Sequence, residues 1–305
     1  LAWCSIRAVG GSFVMRVEDI DTPRTVPAAV MGNLEELRWL GLDWDEGPDV
    51  GGPHGPYLQS ERSEQYQAAL ERLSQQGLLH ECWLSRKDMR EAGSAPHAAT
   101  PIYGPAQRAQ SAALASERRT TGGRPALRVR FPEGTLNLRD RSGRQRRVDV
   151  AREVGDILVR RSDGLWAYHL AVVVDDGAMR ITEVVRGADL WEATPAQAAL
   201  QRVLALPSPE TWHVPLLLDA AGERIAKRRG GATLRALRGG GTDPARIRGA
   251  LCASLGWLRA PCSLSMTDVL ELYQAHPVPE KPSRWDPAWE QDGIRADEGD
   301  RLQDG

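Results

Sequence analysis

Long apolar runs are the first thing this 305-residue chain lacks: none reaches the ~18 residues that a membrane span requires. Its first residues also lack the basic flank, apolar segment and small-residue cleavage site of a secretory leader. Both absences lead to the expectation of a cytoplasmic protein with no membrane partner. Cysteine is sparse: Cys4, Cys82, Cys252 and Cys262 show neither CxxC spacing nor a disulfide framework, which suits a reducing compartment. Lysine is sparser still, at Lys87, Lys227 and Lys281 alone, so arginine supplies nearly all the positive charge. Arginine's planar fork suits phosphate recognition, although a codon-usage bias yields the same skew. A net charge of -2 excludes a bulk polyanion binder. What is present is a composition 41% hydrophobic and 26% charged, enough at this length for a sizeable core and one to two domains.

The stretch from Asp156 to Leu190, DILVRRSDGLWAYHLAVVVDDGAMRITEVVRGADL, organises the chain. It reads as a strand, a Ser162-Asp163-Gly164 turn, a short apolar helix, an Asp175-Asp176-Gly177 turn and a second strand. Val159, Ile181, Val184 and Val185 are β-branched and apolar, the pattern of buried parallel strands. Tyr168, His169, Asp175, Asp176, Glu183 and Arg186 put hydroxyl, imidazole, carboxylate and guanidinium groups near strand ends, where open α/β sheets bind ligands. On these residues alone, a helix hairpin with solvated turns is the competing reading.

Upstream, the chain opens at Leu1 inside a helix tail, stopped at Gly10-Gly11 and followed by a strand from Ser12 to Val17. That strand runs into Arg16-Val-Glu-Asp-Ile-Asp-Thr-Pro-Arg24: either a polar crown over a sheet edge, or a helix N-terminus where acids meet the dipole. Helices are expected over Ala28 to Leu40 and Ser63 to Gln76, flanking a Gly- and Pro-rich loop in which His54 is a plain loop residue. From His80 to about Asp156, Ala, Ser, Pro and Gly rise, with no long periodic segment before Pro125. Short strands are expected at 126–131 and 135–138. A turn-rich run of Arg139, Arg141, Arg144, Arg146 and Arg147 follows, either solvated or in contact with RNA phosphates. A helix over 196–204, a last buried strand from His213, a basic Gly222–Gly231 loop and helices over 244–258 and 265–273 come next. From about Pro277 the composition is that of a disordered tail.

The ordered run RRSDG, Tyr-x-Leu-Ala-Val-Val-Val-Asp-Asp and Ile-Thr-Glu-Val-Val-Arg-Gly-Ala-Asp-Leu resembles the catalytic core of the glutamyl-tRNA synthetase family. Within it, the pattern is most similar to the shortened branch, the glutamyl-queuosine tRNA(Asp) synthetases. The resemblance covers Leu1 to Leu258. It implies an α/β fold: a class I synthetase Rossmann-like parallel sheet with an inserted α+β subdomain and a short helical C-terminal piece. The implied divisions are 1–79 and 157–234 for the two halves of the catalytic core, 80–156 for the insertion, 235–276 for C-terminal helices and 277–305 for the tail.

Residue by residue, Glu18 falls in the family's RxEDxDxxR segment and is expected to face the amino group of bound glutamate. Tyr168 and Arg186 are expected to complete that pocket, the guanidinium taking the side-chain carboxylate. Arg224-Ile-Ala-Lys-Arg228 resembles a degenerate KMSKS loop, which sets Lys227 against the phosphates of ATP. Cys82-Trp-Leu84 and Tyr103-Gly-Pro-Ala-Gln107 stand where the branch usually has Cys-x-Cys and Tyr-x-x-x-Cys. Leu84 and Gln107 cannot ligate as thiolates do, so no zinc is expected. Val172 replaces the polar Asn common in full-length members, and no large helical anticodon-binding domain follows; both features point to the shortened branch.

The implied chemistry is ATP-dependent activation of glutamate to glutamyl-adenylate, with Mg²⁺ accompanying ATP. Glutamate then passes to the queuosine base of tRNA(Asp), on a monomeric enzyme. Two alternatives stand beside it: a fragment of a glutamyl-tRNA synthetase, or a non-catalytic synthetase-like module that binds RNA or protein. Members of the family begin with a strand, a Pro-x-Pro-x-Gly loop and a helix carrying a HIGH-type motif, and Leu1 matches a position just beyond them. Residues 1–305 alone are therefore expected to be inactive or severely impaired.

Overall fold

Helix α1 (Ala2–Ala8) ends where Gly10 turns to a φ of 67°, a left-handed geometry that glycine adopts without a Cβ clash. The computed structural model of the protein describes residues 1–24, 26–91, 102–219, 222 and 233–285. Beyond Gly10 the backbone makes only isolated parallel bridges, Val14 to Glu46 and Val17 to Leu58, in place of a full strand from Ser12 to Val17. Helices α2 (Pro27–Trp39) and α3 (Ser63–Gln75) fall where their periodicity puts them, and α3 buries Tyr66, Ala69, Leu70 and Leu73.

The next segment holds β1 (Leu79–Cys82), α4 (Arg86–Glu91), α5 (Pro105–Thr120), β2 (Ala126–Val129), β3 (Thr135–Arg139), β4 (Gln145–Asp149) and β5 (Ile157–Arg160). Strands β1, β2 and β5 form an antiparallel sheet, and β3 and β4 a separate hairpin. β5 is thus antiparallel, not the parallel strand expected around Val159; β-branched content reports burial, not strand direction. Helix α6 (Tyr168–Ala178), β6 (Glu183–Gly187), α7 (Thr194–Val203), β7 (Glu210–Val214) and the short β8 (Leu217–Leu218) follow. β6 and β7 pair in parallel, from Glu183 opposite Glu210 to Gly187 opposite Val214, with α7 as the crossover. Helices α8 (Leu234–Gly239), α9 (Pro244–Ser254) and α10 (Met266–Ala275) precede β9 (Ser283–Arg284).

The main core forms around α6, whose Leu170, Ala171, Val172, Val173 and Val174 pack against α3, α7 and strand residues Val129 and Val159. The expected Asp175-Asp176-Gly177 turn is instead the last part of this helix. The chain reverses after it, at Arg180, whose φ is 54°. The reason is chemical: Asp175 is completely buried and held by partners, so it is not a turn acid facing water. Its carboxylate accepts from Gln59 Nε2 at 2.8 Å, Arg62 Nε at 2.6 Å and the Tyr66 hydroxyl at 2.8 Å, with Arg16 Nε at 3.8 Å.

Three other expectations change. Helix α5 occupies a region expected to lack long periodic segments; its alanines carry helix propensity, while its apolar contact is limited to residues such as Leu114. The arginine run expected as a turn-rich loop contains β4, where Val148 faces inward with Leu136 and Leu138, while Arg139 and Arg147 face outward. The expected disordered tail begins with ordered chain: β9 pairs with β8, and Trp257 Nε1 donates to the Pro277 carbonyl at 3.0 Å. Residues 286–305 lie outside the described ones.

The positions compared with zinc ligands carry structural work. Cys82 is buried with its Sγ 3.9 Å from the Leu84 carbonyl oxygen, Gln107 Oε1 accepts from Gly104 N at 3.0 Å, and Arg128 lies 4.2 Å over the Tyr103 ring. Among the described residues, no three His, Cys, Asp or Glu side chains gather as a metal site.

Two outcomes are expected. Asp175→Asn leaves Arg62 buried without its counter-charge and should lower stability by about 3–5 kcal/mol, read from urea unfolding midpoints; an unchanged midpoint would contradict the hub. Elemental analysis of purified protein should find no stoichiometric zinc, and an equimolar reading would mean that Cys82 and Tyr103 have partners other than those described.

Candidate active site

A cavity of about 650 Å³ lies between the extended residues 12–18, helix α6 and strand β6. That volume suits a small-molecule ligand. Its wall brings together Arg16 and Glu18 from the extended segment, Tyr168 and Asp176 from α6, and Arg186 from β6. Glu18, Tyr168 and Arg186, drawn from three parts of the sequence, therefore share one space. Lys227, with Arg224 and Ala226 beside it, lies outside the described residues.

Each side chain is set by its element. Tyr168 is the first residue of α6, and Asp176 lies two turns further along the same helix. Arg16 Nη1 donates to Asp176 Oδ1 at 2.7 Å, and Arg16 Nη2 donates to Glu18 Oε1 at 3.3 Å. Arg186 is arranged differently. Its Nε donates to His213 Nε2 at 2.9 Å, its Nη1 to Gln197 Oε1 at 2.6 Å and its Nη2 to Thr194 Oγ1 at 2.8 Å. All three acceptors are neutral, and among the described residues no acid forms a salt bridge with Arg186.

The electrostatics follow from burial. Burial pushes the Tyr168 hydroxyl above its ordinary value and the Glu18 carboxylate adds to the shift, so the phenol stays protonated and able to donate. Burial also pushes the Asp176 carboxyl up, with the Arg16 bridge opposing it. Arg186 is drawn down by burial against the pull of Tyr168 and Asp176, yet a guanidinium keeps its proton. His169, next to Tyr168, is drawn down by burial and by Arg186 and is neutral at pH 7.

Sequence reasoning missed part of this wall. His54 lies in the loop as expected but is engaged there: its Nδ1 lies 2.9 Å from Glu46 Oε2, which also accepts from the Tyr57 hydroxyl at 2.6 Å, and Glu46 and His54 both line the cavity. Thr194 and Gln197 were readable only as a helix start, although their i, i+3 spacing puts both on one face of α7, toward Arg186. Asp140 and His213 carried no shared signal, being 73 residues apart.

Comparison with known proteins bears on this geometry. The family model for the class I tRNA synthetases (E and Q), catalytic domain, matches residues 1–262. A glutamyl-Q tRNA(Asp) synthetase of Symbiobacterium thermophilum is 43% identical over 289 residues, covering 93% of this chain and 88% of that protein. The protein of the same name from Nitratidesulfovibrio vulgaris is 42% identical, covering 92% of this chain and 88% of its own length. The crystal structure of glutamate-tRNA synthetase from Elizabethkingia anophelis superposes with a TM-score of 0.78 at 23% identity, over 96% of this chain but 65% of that longer one. That superposition bears on the fold alone and supports the class I synthetase α/β core read from the sequence. The chain belongs to the glutamate- and glutamine-type class I tRNA synthetases.

Proposed function

We propose that the protein is a glutamyl-Q tRNA(Asp) synthetase: it activates glutamate with ATP and transfers it to the queuosine base of tRNA(Asp). The observation that carries the reading is the pairing of Glu18 with a charge-bearing, un-neutralised Arg186 in one cavity. Glutamate is a zwitterion with an additional carboxylate. It needs one anion for its ammonium and one cation for its side chain, and Glu18 and Arg186 offer that pair. Tyr168, a protonated donor in the same cavity, can orient the ligand.

In the first step an oxygen of the glutamate α-carboxylate attacks the α-phosphorus of ATP and pyrophosphate leaves. In the second, a hydroxyl of the queuosine base attacks the activated carbonyl and AMP leaves. Neither step needs a protein nucleophile, so the residues act by positioning and by charge. Lys227 is assigned to the departing pyrophosphate, and Mg²⁺ enters as the ATP complex. The outward face of the β3–β4 hairpin, with Arg139 and Arg147, is a candidate surface for tRNA phosphates. No helix among the described residues is long and apolar enough to cross a membrane, and a cytoplasmic monomer completes the proposal.

The test is glutamate-dependent ATP–pyrophosphate exchange on protein purified from its native host. Exchange without tRNA supports the proposal; exchange only after tRNA is added favours an ordinary glutamyl-tRNA synthetase; no exchange under either condition favours a non-catalytic module. Arg186→Met should weaken glutamate binding by about 2 kcal/mol or more, roughly 30-fold, in titration calorimetry. Lys227→Ala should abolish exchange while leaving glutamate affinity within about twofold; unchanged exchange rates would remove its assignment to ATP.

A further inference from the structure

We infer that His213, anchored by Asp140, is a positioning residue that holds the Arg186 guanidinium toward its ligand without neutralising it. The inference rests on the reading of Arg186 as the group that takes a substrate carboxylate.

The parallel register sets Arg186 directly opposite His213 on neighbouring strands, so their side chains share one face of the β6–β7 pair. Asp140, in the turn between β3 and β4, then decides which ring nitrogen carries the proton. Its carboxylate accepts from the backbone N–H groups of His213 and Ser142, at 3.1 Å in each case, and from the Ser142 hydroxyl. A carboxylate satisfied by that many donors is ionised and can only accept. His213 Nδ1, 2.7 Å from Asp140 Oδ1, is therefore the protonated nitrogen, and Nε2 keeps its lone pair. Arg186 Nε points its N–H at that lone pair from 2.9 Å.

The side chains of His213 and Asp140 are both fully shielded from water, and the Trp191 ring packs edge-on against the imidazole at 5.2 Å. No solvent can replace the missing acceptor if the ring is lost. The choice of a neutral ring matters. A carboxylate at this place would fix Arg186 equally well, but it would also compete with the ligand for the charge. Of the five N–H donors of a guanidinium, His213, Gln197 and Thr194 engage three, leaving one on each terminal nitrogen for a bidentate partner.

The charged and titratable groups that face His213 are Asp140 from the β3–β4 turn, Arg144 at the start of the return limb and Arg186 from β6. Burial draws the imidazole below its ordinary value of about 6.5, against the opposing pull of Asp140. Falling pH would protonate Nε2 and set it donor to donor against Arg186 Nε.

The experiment measures binding of L-glutamate and of L-glutamine to the full chain by titration calorimetry, with circular dichroism as the folding control. The unaltered chain should prefer glutamate. In His213→Leu that preference should shrink about tenfold or more, whereas a merely structural role would weaken both ligands alike. His213→Gln, whose amide oxygen again offers Arg186 a neutral acceptor, should restore most of the preference. An unchanged ratio in His213→Leu overturns the inference. If His213→Leu does not fold, the decision falls to pH: because burial draws the imidazole down, the preference of the unaltered chain should hold through the ordinary imidazole range and decline only at more acidic pH, and that of His213→Gln should not. Identical pH profiles overturn it equally. Tight glutamate binding with no response to these variants would leave the proposed activity standing and remove His213 from it. Failure of the unaltered chain to bind glutamate would remove both.

Discussion

Asp175 has no contact with solvent, and a buried carboxylate costs several kcal/mol unless donors surround it. Its donors come from separate elements: Gln59 and Arg62 before α3, Tyr66 within it, and Arg16 close by from the extended segment. These pieces must therefore assemble together or not at all. The consequence reaches the cavity through one residue step. Asp176, next on the same helix, turns toward Arg16, and Arg16 in turn reaches Glu18. A folding requirement deep in the core thus places the acidic side of the site.

The two arginines of the cavity show how the same residue type is put to different ends. Arg16 is surrounded by Asp175, Asp176 and Glu18, which hold its proton more tightly than usual and neutralise its charge inside the protein. Arg186 meets a ring nitrogen, an amide oxygen and a hydroxyl, which orient it and leave the charge intact. An incoming anion is therefore directed to Arg186. Glu18, about two-fifths exposed and held by one long hydrogen bond, is the acid left free enough to meet an ammonium group. The polarity of the cavity comes from how each charge is partnered, more than from which charges line it.

Much of the frame was readable from local pattern: α2, α3 and α9 from apolar spacing, α6 from its continuous apolar run and α7 from the Thr194-Pro195 start signal. Where large apolar residues were few, the elements went unread. Helix α5 has a patterned face made of alanine and the buried Ser111, with Leu114 its one large apolar side chain, and β4 hides its inward Val148 among arginines. Asp175-Asp176-Gly177 looks like a turn to any local rule, because only the distant Gln59, Arg62 and Tyr66 make a helical, buried Asp175 affordable. Glu18, Tyr168 and Arg186 were found through motif resemblance, since no spacing rule links positions so far apart. Asp140 and His213 had neither motif nor spacing, and only tertiary structure joins them.

That joint also bears on how the segment 80–156 relates to the core. Asp140 grips His213, and the very next residue, Arg141, donates its backbone N–H to the Thr211 carbonyl at 2.8 Å. The Arg141 guanidinium lies 4.4 Å over the Trp212 ring and bridges Glu183 at 2.9 Å. Two consecutive turn residues therefore dock on both β6 and β7. A composition-based boundary at Asp156 separates chain segments but does not separate these contacts. Pulling the hairpin away would cost Asp140 the imidazole and backbone N–H of His213 and leave it only the donors of Ser142. The hairpin is thus held to the sheet at the very residue that orients Arg186. Its outward face, with Arg139 next to Asp140 in the chain and Arg147 paired opposite Asn137, belongs to the same hairpin as that anchor. On the proposed function, a tRNA phosphate bound there would bear on the same turn that holds His213 and, through it, Arg186.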